Sequence, residues 1–90
     1  MHLFHLILLN VIQIKINLYD HTLIYKLVGY REGRSEHTTT YTQKVTVVTS
    51  DGRKLEKMYT QRGDEPCKWK MYEIYESLCK QLGVKPASMD

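Results

Sequence analysis

Arg53, Lys54, Lys57 and Arg62 lie within ten residues of one another around the single acid Glu56, and together these side chains carry as much net positive charge as the whole chain, +3. Lys and Arg at that density can contact phosphate oxygens, while exposed tyrosine and tryptophan can stack on unpaired bases. On an edge strand the same cations would instead keep foreign strands from pairing. Lys44 precedes this basic strip, and Lys68, Trp69 and Lys70 follow it. The expectation is a small non-enzymatic nucleic-acid-binding module, RNA favoured over DNA. Its contacts would come from Lys44, Arg53, Lys54, Lys57, Arg62, Lys68 and Lys70, with Trp69 and His37 as stacking or shape contacts. The competing expectation is a protein-interaction or inhibitor module, or a homodimer built by sheet-edge pairing. That reading draws on the seven tyrosines, an outward Trp69 and a threonine-rich strand.

Other chemistry finds little support. The chain has no Gly-x-Ser-x-Gly, no phosphate-cradling glycine loop and no His-Glu-x-x-His. His2, His5, His21 and His37 do not combine with Cys67 or Cys79 in a compact ligand spacing, so neither a metal nor a cofactor is expected. The two cysteines fall within one predicted helix at a separation of about 18 Å, too far to bridge. A reducing, cytoplasmic compartment is the simplest expectation. The apolar run Leu3 to Ile12 contains His5 and Asn10 and is too short to span a bilayer. It has no Lys or Arg before it and no small-residue cleavage pattern after it.

The elements that must position these residues are legible in the patterning. At 90 residues, with 42% hydrophobic and 26% charged positions, the chain is expected to form one domain, residues 1–90, with a small core. Ile12, Ile14, Ile16 and Leu18 alternate with Gln13, Lys15 and Asn17, which predicts a half-buried strand. Residues 3–9 are apolar nearly all round and fit the start of that strand, a separate central strand or a short N-terminal helix. A turn at residues 19–22 leads into Leu23 to Tyr30, with Leu23, Tyr25 and Leu27 on one face. A charged loop over residues 31–36 then precedes Thr38-Thr39-Thr40.

Ser50-Asp51-Gly52 joins two further β-patterned runs. A three-residue loop with Gly52 in the left-handed conformation sets Tyr41, Val45 and Val47 on the same face as Leu55 and Tyr59. A two-residue loop would put the two groups on opposite faces. Asp64, Pro66 and Gly83 predict a helix over 65–82. Its apolar stripe would be Cys67, Met71, Ile74, Tyr75, Leu78 and Leu82, and Trp69 would point away from the stripe. The fold class is α+β: an antiparallel meander of three to four strands with one C-terminal helix packed on one face.

From Tyr25 onward the sequence resembles a double-stranded-RNA-binding domain. The resemblance runs through Tyr25-x-Leu27-Val28, Gly33-Arg34-Ser35-Glu36-His37, Tyr41, Val45 and Val47, Gly52 and the C-terminal helix. It implies that His37 approaches a minor groove and that Lys68 and Lys70, at the start of the last helix, grip phosphates. It also implies a helix within residues 3–17, where the alternation of Ile12 to Leu18 predicts a strand.

Overall fold

The computed structural model describes residues 6–32, 39–63 and 68–88. Four strands run in sequence order, β1 (Leu6–Asn17), β2 (His21–Glu32), β3 (Thr40–Thr49) and β4 (Lys54–Arg62), followed by helix α1 (Lys68–Leu82). Every neighbouring pair is antiparallel, giving one open sheet in the order β1-β2-β3-β4. The expected α+β meander with a C-terminal helix is therefore present.

The short N-terminal helix considered for the apolar run is replaced, from Leu6 onward, by a single edge strand. The reason is a longer partner: β2 extends to Glu32, so Leu6, Ile7 and Leu8 find ladder positions opposite Glu32, Arg31 and Tyr30. A bulge between Leu8 and Asn10 shifts the register. One extra residue changes the phase of side-chain alternation, so the run before the bulge does not continue the alternation of Ile12 to Ile16. A strand also occupies positions where the RNA-binding resemblance implies a helix.

The β3–β4 hairpin forms around the three-residue loop. Val47 pairs with Leu55 and Val48 with Lys54, Thr49 and Arg53 close the loop, and Gly52 has a φ of 92°. Left-handed backbone of this kind favours glycine, which has no Cβ to clash. The resulting register puts Tyr41, Val45 and Val47 on one face with Leu55 and Tyr59.

Helix α1 covers that face. Its Ile74, Tyr75, Leu78, Cys79 and Leu82 form the core with Leu23, Val45 and Val47, and Tyr25, Leu55, Tyr59 and Met71 pack around them. Cys79 joins the predicted stripe; Cys67 and the expected caps at Asp64 and Pro66 lie outside the described residues. Gly83, at φ 74°, ends the helix in a Schellman turn: its N–H donates to Lys80 O, and that of Val84 donates to Cys79 O. No described helix is long and apolar enough to cross a membrane.

Candidate functional site: an open cationic sheet face

Alternation along each strand sends residues to two faces, and cross-strand pairs share a face. One face lies beneath α1. The other, left open, carries Gln13 and Lys15 of β1, Thr22, Ile24, Lys26 and Val28 of β2, Thr42, Lys44, Thr46 and Val48 of β3, and Lys54, Glu56, Met58, Thr60 and Arg62 of β4. Lys15, Lys26, Lys44, Lys54 and Arg62 thus share one surface, and Glu56 is the acid among its described side chains. Lys26 stands directly opposite Lys44.

Glu56 partly neutralises the centre of this surface: its carboxylate lies 3.7 Å from Lys44 Nζ and accepts a hydrogen bond from Thr46 Oγ1 at 3.3 Å. Among the described residues, Lys15, Lys26, Lys54 and Arg62 have no ion-pair partner. Like charges directly opposite one another on neighbouring strands destabilise a sheet. The Lys26–Lys44 pair is therefore a local cost of the free protein that a bound anion would relieve.

The strip between Arg53 and Arg62 does not form one surface. Lys54 and Arg62 join Lys44 on the open face, whereas Lys57 pairs with Val45 and lies on the helix side, exposed at the outer edge of β4. Lys70 is also on the helix side, with its Nζ 4.5 Å from the centre of the Tyr59 ring and 4.0 Å from the Glu73 carboxylate. Arg53 serves the fold: Nε donates to both carboxylate oxygens of Asp51 at 3.1 Å, and Nη1 donates to Leu82 O at 2.9 Å. It thereby satisfies a carbonyl at the helix C-terminus, where a cation is favoured. Hydrogen bonds from Thr49 and Arg53 hold the Asp51 carboxyl below its ordinary value. Lys68 and Trp69 open α1, with side chains beyond those described, and His37 lies outside the described residues.

Lys15 and Lys26 were absent from the expected contact set because they are distant in sequence from the hairpin. Each falls out of phase with an apolar series, Lys15 with Ile12, Ile14 and Ile16, and Lys26 with Leu23, Tyr25 and Leu27. That phase places each on the face opposite its apolar series, but only the strand pairing brings them beside Lys44.

A second polar cluster lies at the other end of the core. Ala87 N–H donates to Tyr75 Oη at 2.8 Å, and Tyr75 Oη lies 2.7 Å from His21 Nε2. His21 Nδ1 lies 2.6 Å from Asp20 Oδ1. Both ring nitrogens of His21 are thus hydrogen-bonded, Nε2 to Tyr75 and Nδ1 to Asp20. Cys79 Sγ is 3.8 Å from the same Nε2, an order of acid, base and thiol that suggests nucleophilic chemistry. Burial argues otherwise. Cys79 is fully enclosed, desolvation pushes its thiol pKa up, and Tyr75 already occupies Nε2, so the thiolate needed for attack is disfavoured. The cluster ties the β1–β2 turn, the helix and the C-terminal segment together. A cleft of about 560 Å³ beside it is lined by Leu18, Asp20, Tyr72, Lys85 and Pro86, among others.

Among the described residues no group of three or more His, Cys, Asp or Glu side chains could hold a metal. The known proteins do not decide between these surfaces. No family model, curated protein or solved structure matches this chain.

Proposed function

We propose that the protein is a non-enzymatic nucleic-acid-binding module that uses its open sheet face, with single-stranded RNA as the favoured target. The observation that carries this reading is the convergence of Lys15, Lys26, Lys44, Lys54 and Arg62 from four strands onto one uncovered surface. An open sheet face suits an extended backbone, because cations on successive strands can follow successive phosphates. Thr22, Thr42 and Thr60 add hydroxyls for further contacts to phosphate and sugar oxygens. This moves the site from the hairpin and helix start to the sheet, with Lys44, Lys54 and Arg62 common to both sets.

The test is affinity for a labelled single-stranded RNA measured across a range of salt. Phosphate contacts release counterions, so log affinity should fall with log salt by about 0.7 for each phosphate neutralised. Replacing Lys26 or Lys44 with alanine should weaken binding across sequences and make that slope shallower by about one contact each. Lys57→Ala, on the helix side, should change little. A flat salt response, or equal losses from Lys57→Ala and Lys26→Ala, would remove the proposal.

A further inference from the structure

The two edges of the sheet differ in a way that singles out a partner for one of them. β4 presents Lys54, Glu56, Lys57 and Arg62, charges of the kind that block strand addition. β1, LILLNVIQIKIN, carries no acid and one cation, Lys15. Its Ile12, Ile14 and Ile16 lie on the helix side but beyond the cover of α1, and they remain 41%, 45% and 39% exposed. An apolar edge that runs regularly from Asn10 to Asn17, its outward backbone groups unpaired among the described residues, invites another strand.

We propose that β1 pairs antiparallel with β1 of a second copy, with Ile14 on the two-fold axis. Three observations fix the geometry. First, pairing two identical edges antiparallel in one sheet requires a two-fold axis perpendicular to the sheet. Such an axis preserves faces, so Ile12, Ile14 and Ile16 of one copy meet the same row of the other. Second, the bulge between Leu8 and Asn10 interrupts the edge and restricts regular pairing to residues 10–17.

Third, side-chain matching selects the register within that stretch. Centring on Ile14 sets Ile12 opposite Ile16, Ile14 opposite itself, Gln13 opposite Lys15 and Val11 opposite Asn17. Centring on Lys15 would set two lysines against each other, a destabilising pair. Centring on Gln13 would set Val11 against Lys15 and leave Ile16 without an isoleucine partner. The Ile14 register aligns every apolar position of the row and keeps the lysines apart.

The dimer would be a single eight-stranded sheet with both helices on one side. Between them the six isoleucines would form a continuous apolar floor, and on the other side the two open faces would join through Lys15 and Lys26 of each copy. The pairing rests on the edge chemistry of β1 and stands whether or not nucleic acid binds.

Sedimentation or light scattering over a rising protein concentration reads the association. The wild type should shift from monomer to dimer, and Ile14→Lys should weaken dimerisation by at least about a hundredfold by placing two cations at the axis. Ile14 is partly exposed in the single chain, so far-UV circular dichroism should show the fold retained. A second measurement is independent of that variant: in a Cys67→Ser background, mild oxidation should convert Ile14→Cys, but not Met58→Cys on β4, into a disulfide-linked dimer. A wild type that remains monomeric at every concentration, dimers unaffected by Ile14→Lys, or cross-linking at Met58→Cys in place of Ile14→Cys would each overturn the proposal.

Discussion

Helix α1 lies over the β3–β4 side of the sheet, so Leu55 and Tyr59 of the outer strand β4 pack against the core, while Ile12, Ile14 and Ile16 of the opposite edge stay exposed. Length explains part of this: α1 has 15 residues, about 22 Å of rod, and one such helix lies over only part of a four-stranded sheet. Charge explains the rest. β4 has cations where it meets solvent, and β1 has a row of isoleucines. The covered half of the molecule holds the core; the uncovered half, together with the open face, is where both proposals place a partner.

This contrast can be broken at measurable points. The largest effect should come from the covered side: Leu78→Ala leaves a cavity between helix and sheet and should cost about 2–5 kcal/mol in denaturant unfolding. Ile12→Ala, made in the monomeric Ile14→Lys background, should cost under about 1 kcal/mol, because Ile12 there buries less apolar surface. Equal losses would mean that the core reaches further toward β1 than the packing indicates. Next comes Tyr75→Phe, which leaves His21 Nε2 and the Ala87 N–H without their partner and should cost about 1–3 kcal/mol.

Gln43 offers a change in the opposite direction. It is fully buried, between Leu27 and Tyr59 in the ladder, and among the described residues neither its amide oxygen nor its nitrogen has a partner. Replacing it with leucine removes that desolvation cost and should raise stability by about 1–2 kcal/mol. The alkaline limb of stability should report Tyr75. Burial pushes its hydroxyl up to about 12 from 10.0, so the folded protein keeps a proton that the unfolded chain releases first. That contribution is complete below pH 10 and is lost as pH rises toward about 12. Denaturant midpoints across this range should fall more steeply for the wild type than for Tyr75→Phe.

The smallest effect is the most diagnostic of the open face. Lys26→Gln removes one of the two like charges at the Lys26–Lys44 pair, and it should stabilise the free protein by a few tenths of a kcal/mol. The same change should weaken RNA binding, separating what the surface costs the fold from what it provides to a ligand.

Most of the fold was legible from local patterning. Gly52 specified the loop that sets the β3–β4 register, and the spacing of Met71, Ile74, Tyr75, Leu78 and Leu82 specified the buried side of α1. The run before Ile12 was not legible, because its strand depends on the length of β2 and on the bulge, both properties of pairing. The grouping of cations on the open face was only partly legible for the same reason. Clustering along the chain picked out Arg53, which the loop and helix end engage, and Lys57, which the pairing puts on the helix side, and it concealed Lys15 and Lys26, which the sheet brings onto the face of Lys44. His21 illustrates the remaining difficulty: nothing local to residue 21 signals a bond to Tyr75, 54 positions away.

Methyl chemical shifts during titration with a single-stranded RNA test the central claim most directly, since methyl groups report one face at a time. The account predicts shifts at Ile24, Val28, Thr42, Thr46, Val48 and Thr60, with Leu23, Val45, Val47 and Leu78 nearly unmoved. Shifts concentrated at the helix-side methyls, or none on either face, would contradict it.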